Sequence, residues 1–190
     1  MYEGTNPKAL QSRQWIIEAL IGSMKEMPYS QITIKDICKK ADLSRQTFYN
    51  IFDSKDDILR AYLKTEVGKV YRELAEMSAV RTLGLDDMMH AFAEVLDSSR
   101  DVLAVMEEQG LGYMITDEIS GTIALFSSRF TTEEIMQTDP NDRVYSQAFL
   151  TGGLTNALVR WLEQDDSIDV DLLCEIIKRI LRGGLAGSQT

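Results

Sequence analysis

Between Ser44 and Lys55 the chain reads SRQTFYNIFDSK, and Arg45, Gln46, Thr47, Tyr49 and Asn50 carry side chains able to hydrogen-bond base edges and phosphate oxygens. An arginine can take a guanine edge through two parallel bonds and a glutamine an adenine edge. Each good pair contributes about 1–3 kcal/mol of discrimination. Lys55 stands at a helix start, where its charge and the helix N-terminus can both face one phosphate. This chemistry reads a duplex and makes no bond.

Such residues act together only if short helices hold them. Leu10, Ile16, Ile17, Leu20 and Met24 give a first helix an apolar face, entered near Pro7 and stopped by Met27-Pro28. Thr33, with Asp36 three residues on, has the layout of an N-cap with a capping box, which predicts a second helix to about Lys40. Only Ala41, Asp42 and Leu43 separate it from Ser44, a good N-cap for a third, short helix. Two helices so tightly joined cross steeply, and Ile34, Ile37, Ala41, Leu43, Phe48 and Phe52 can pack them against the first. That leaves the five polar side chains outside, in the geometry of a helix-turn-helix whose recognition helix enters the major groove. Ser54 caps a fourth, longer helix.

The run TIKDICKKADLSRQTFYNIFDSKDDIL, Thr33 to Leu59, resembles the DNA-binding signature of TetR-family transcriptional regulators in its Thr, Asp-Ile, Ala, Ser, Thr, Phe-Tyr, Phe, Ser-Lys and Leu. The resemblance implies that Thr33, Ser44, Tyr49 and Lys55 contact phosphates, and that Arg45, Gln46, Thr47 and Asn50 meet bases. The chain departs from the pattern at Gln46, where a small residue is common, and at Ile51, where many members carry His or Tyr.

The formal net charge of -10 is unevenly distributed. Through Lys64 there are ten Lys and Arg against eight Asp and Glu, a net +2, whereas the rest carries ten against twenty-two, a net -12. Screening over about 8–10 Å keeps a distant acidic region from cancelling a local attraction to DNA.

Strand signals are nearly absent, so the expected fold is all-α with about nine helices. A three-helix helix-turn-helix domain over residues 1–53 precedes a helical effector-binding and dimerisation domain over 54–190, with a helix from about 54 to 77 as connector. Helices are expected at Leu85–Ser98, Asp101–Glu108, Gly112–Thr131, Asn141–Gln164 and Val170–Arg182. Met89, Phe92, Met106, Tyr113, Met114 and Phe126 describe either an effector pocket or an ordinary core, because methionine suits both. In the last two helices, small and apolar residues including Gly152, Thr155, Leu158, Leu162, Leu173 and Ile177 can pack against a two-fold copy, with Trp161 at the same contact. The tail GGLTNALVRWL is similar to that of family members resembling dihydroxyacetone-kinase regulators.

Other functions lack their residues. There is no phosphate-binding glycine loop followed by Lys-Ser/Thr, no GxSxG and no HExxH. Asp86-Asp87, Glu107-Glu108 and Asp165-Asp166 are adjacent, hence on different helix faces. Cys38 and Cys174 are expected as packed free thiols, and His90 alone makes no metal site. No apolar run approaches the roughly 20 residues that span a bilayer, and the start lacks a secretory layout. The reading is a cytoplasmic, homodimeric transcriptional regulator without cofactor or metal. It binds double-stranded DNA as a repressor released by a small-molecule effector, or as an activator or adaptor whose acidic domain answers to a protein coactivator.

Overall fold

The computed structural model describes residues 6–79, 85–129, 140–164 and 168–183. They contain eight α-helices, one 3-10 turn and no strand. The chain divides into two compact units, Met1–Thr65 and Glu66–Thr190.

The first unit begins with α1, Pro7–Met24, capped by the Asn6 side chain, which accepts from the Lys8 amide at 3.0 Å, with Pro7 pre-set for the first turn. Ile16, Ile17, Leu20 and Met24 are buried as their spacing predicts. Leu10 is instead 47% exposed, because the buried stripe begins two turns later. A 3-10 turn, Tyr29–Gln31, precedes α2, Ile34–Lys40. Then come α3, Arg45–Tyr49, and α4, Lys55–Ser78, which begins in this unit. Phe48, Phe52, Ile37, Ile16, Leu20, Ile58 and Leu59 are fully buried and form the core. Each removes apolar area from water worth about 1.5–3 kcal/mol per side chain.

The second unit contains the rest of α4 with α5, Leu85–Glu108, α6, Gly112–Arg129, α7, Pro140–Leu162, and α8, Val170–Gly183. One unbroken α5 stands where two helices are expected. Ser98 and Ser99 do not interrupt it. The Ser98 hydroxyl donates back to the Val95 carbonyl of its own helix at 3.0 Å, and the buried Ser99 hydroxyl donates away from the backbone to Glu66 of α4 at 2.9 Å. The α5 to α6 turn is a Schellman motif in which Gly110, at φ 73°, supplies the left-handed residue and the Leu111 amide bonds the Met106 carbonyl at 2.8 Å. Val70, Leu74 and Ala91 form one apolar cluster with Tyr71, Met77, Phe92 and Val95 against it. Trp161 is buried, its indole N–H donating to the Ile168 carbonyl at 2.7 Å and its ring under the Arg100 guanidinium. Both cysteines are buried free thiols.

Candidate nucleic-acid interface

Local hydrogen bonds set the interface before any packing does. Thr33 caps α2 reciprocally: its hydroxyl accepts the Asp36 amide at 3.3 Å, while the Asp36 carboxylate accepts the Thr33 amide at 3.0 Å and the Thr33 hydroxyl proton at 2.5 Å. These bonds hold the Asp36 carboxyl below its ordinary range, the Thr33 hydroxyl contributing most and its amide next. Lys39 and Lys40 lie in the last turn of α2, where cations favour the negative end of the helix dipole.

The turn that re-aims the chain is a second Schellman motif. Asp42 takes the left-handed position with φ 54°, and the amides of Asp42 and Leu43 return to the carbonyls of Lys39 and Cys38 at 3.4 and 2.9 Å. Ser44 then caps α3, accepting the Thr47 amide at 3.0 Å with its hydroxyl 2.9 Å from that of Thr47.

On α3 the division of faces follows the spacing. Phe48 is fully buried, whereas Arg45, Gln46, Tyr49 and Asn50 are exposed and Thr47 is half-buried. Gln46 donates to the Asn50 amide oxygen at 3.1 Å, so two amides expected to meet bases hold one another one turn apart. The Tyr49 ring meets Phe48 edge-on, centroids 5.3 Å apart, which fixes the phenol direction. Ile51 is buried at 3% exposure, so this departure from the family pattern fills the core of the first unit, the head of the chain.

Ser54 and Asp57 form a further capping box at the start of α4: the Ser54 amide donates to the Asp57 carboxylate at 3.0 Å and the Asp57 amide to the Ser54 hydroxyl at 3.2 Å. Lys55 is half-buried, its ammonium 2.6 Å from the Tyr29 carbonyl, 3.1 Å from that of Ile32 and 4.1 Å from the Tyr29 ring centre. Sequence spacing gives no signal of this contact, since 26 residues separate Lys55 from Tyr29. A shallow cleft of about 420 Å³ on α1 and α2 is lined by Trp15, Glu18, Ala19, Lys40, Ala41 and Asp42.

Of the residues expected in an effector pocket, Met89, Met106 and Met114 are buried, Phe92 is partly buried and Tyr113 is 52% exposed. Phe126 lies on α6, with its side chain outside the described residues. Of those expected at a dimer contact, Thr155, Leu158, Leu162 and Leu173 are buried within their own unit, and Gly152 and Ile177 are half-buried. Among the described residues of these helices, Val144, Tyr145 and Phe149 on α7 and Leu172 and Ile180 on α8 are the large apolar side chains left exposed.

A short exposed polar helix, seated by its own aromatics after a tight turn, defines a helix-turn-helix protein. Residues 16–62 match the family model of bacterial regulatory proteins, tetR family. Over 113 residues the chain is 31% identical to the HTH-type transcriptional regulator HbdR of Aromatoleum sp. (strain CIB), covering 56% of this chain and 49% of that one. The chain spans half or less of the length of the curated relatives it matches. Among solved structures the fold is similar to Thermus thermophilus FadR, described as a transcriptional repressor in complex with lauroyl-CoA. The TM-score is 0.59 at 21% identity, covering 94% of this chain and 97% of that one. It is also similar to the dihydroxyacetone kinase operon activator DhaS, with a TM-score of 0.64 at 14% identity over 90% and 93% of the two chains. These likenesses relate residues 16–62 to the bacterial regulatory proteins of the tetR family, and the chain as a whole to the fold of the solved structures. No helix among the described residues is long and apolar enough to cross a membrane.

Proposed function

We propose that the protein is a homodimeric repressor that binds a near-palindromic operator through α3 and leaves it when a small effector binds the second unit. The observation that carries the reading is the exposure of Arg45, Gln46, Tyr49 and Asn50 on a helix anchored by the buried Phe48 and Phe52. Arg45, Gln46, Thr47 and Asn50 read bases, and Thr33, Ser44 and Tyr49 position the phosphates on either side. A helix of five residues reads few base pairs, so two copies about one DNA turn apart supply the rest.

The dimer forms through the face of α7 and α8 that carries Tyr145, Phe149, Leu172 and Ile180, since these apolar side chains are exposed in the single chain. The effector enters among α5 and α6, where Met89, Phe92, Met106 and Met114 supply adaptable apolar walls. The lauroyl-CoA of the Thermus thermophilus FadR structure makes a lipid-like molecule the first effector class to test. Linkage requires that an effector loosening DNA bind less tightly to the DNA-bound protein.

The test is selection of duplexes from a random pool by the full chain, followed by retention measurements. Arg45→Ala and Tyr49→Ala are expected to abolish retention while the protein stays folded and dimeric. Unchanged retention by both sinks the reading.

A further inference from the structure

Lys55 sits at the start of α4, beside a helix N-terminus, where a phosphate is the obvious partner. Its surroundings describe a different task. An ammonium has three donors. Two reach the Tyr29 and Ile32 carbonyls at 2.6 and 3.1 Å, and the charge lies over the Tyr29 ring, 4.1 Å from its centre. The neighbouring Asp56 takes the Tyr29 hydroxyl proton, so two consecutive residues of α4 grip one tyrosine from both ends.

The Ile32 carbonyl belongs to the peptide unit whose N–H is that of Thr33, the N-cap of α2. That N–H is bonded to the Asp36 carboxylate at 3.0 Å. One peptide plane is therefore held at its oxygen by Lys55 and at its nitrogen by Asp36. Its orientation sets where α2 begins, and α2 carries α3 through a connection of four residues.

We infer that Lys55 is a positioning residue for DNA reading: it locks the Tyr29–Gln31 turn and the entry of α2 to α4, and it does not neutralise a phosphate. The inference rests on the DNA-binding reading above. It separates from a phosphate contact by salt dependence, because each neutralised phosphate contributes about -0.9 to the slope of log affinity against log salt on duplex DNA.

The experiment uses the full chain, a duplex selected from a random pool by the wild type, and Lys55→Met, which keeps the length of the stem. Affinity is expected to fall about tenfold with the slope unchanged, because the charge removed faces carbonyls and not phosphate. In the absence of DNA, the amides of Ile32, Asp36 and Ile37 are expected to exchange at least about tenfold faster than in the wild type. A slope shallower by about 0.9 with unchanged exchange overturns the inference, as does no change in either. Tyr29→Leu, which leaves the charge of Lys55 in place, serves if Lys55→Met does not fold. The clamp predicts weakened binding at constant slope, and unaltered affinity overturns it. If the wild type retains no duplex, the DNA reading fails, and amide exchange still decides for or against the clamp.

Discussion

Phe48 and Tyr49 are neighbours in sequence with their rings 82° apart, one fully buried and the other 47% exposed. The same edge-on contact that fills the head core therefore aims the phenol outward. Phe48→Ala is expected to cost about 3–5 kcal/mol and to lower the thermal midpoint with or without DNA. Tyr49→Phe removes one hydrogen bond to a charged phosphate, worth about 1.5–3 kcal/mol, and is expected to weaken DNA retention by about tenfold or more at an unchanged midpoint. Thermal scans paired with retention assays separate the two.

The reciprocal cap of Thr33 and Asp36 makes α2 sensitive to acid. The folded pKa of Asp36 is depressed, so its contribution is present above its ordinary value of 3.8 and is lost as pH falls through the lower folded value. Amide exchange across residues 34–37 is expected to accelerate in that acid range, and Asp36→Asn is expected to flatten the dependence. Thr33→Ala removes the cap outright and is expected to cost about 1 kcal/mol in a denaturant titration at neutral pH.

Asp42 holds a left-handed conformation that a short polar side chain tolerates and a β-branched one does not. Asp42→Val is expected to destabilise the head by about 1–2 kcal/mol, whereas Asp42→Gly is expected to keep the turn and DNA retention. Equal stability of the two variants in denaturant would contradict a strained turn.

Lys178 joins α8 to α5 through Asp86 at 3.0 Å and also pairs with Glu175 on its own helix. Its pKa is raised, first by the bond to Glu175 and then by that to Asp86, so its contribution is complete below its ordinary value of 10.5 and is lost as pH rises through the higher folded value. Wild type and Lys178→Met are expected to differ in thermal midpoint at neutral pH and to converge in strong alkali.

Tyr145 and Phe149 stand one turn apart on α7, at 78% and 77% exposure. Phe149→Glu, placing a charge on the apolar face proposed above to meet a second copy, is expected to halve the mass measured by sedimentation at micromolar concentration and to weaken operator retention. A dimer unaffected by the change would move the contact elsewhere.

The head was legible in the sequence because its determinants are local. Thr33 with Asp36, Ser44 with Thr47 and Ser54 with Asp57 each lie three residues apart, and a cap depends on little beyond that spacing. The burial of Phe48 and Phe52 and the exposure of Arg45, Gln46, Tyr49 and Asn50 follow from helical periodicity. Tertiary structure decided what depends on distant partners. Ser99 lies inside an unbroken α5, bonded to Glu66 33 residues away. Leu158, Leu162 and Leu173 belong to the same apolar patterns as Phe149 and Leu172, yet the former face their own unit and the latter solvent. Lys55 reads alone as a free cation, and only the folded turn at Tyr29 brings it two carbonyls. Short-range hydrogen bonds are encoded in spacing, whereas the face of a helix that becomes covered is chosen by neighbours from other parts of the chain.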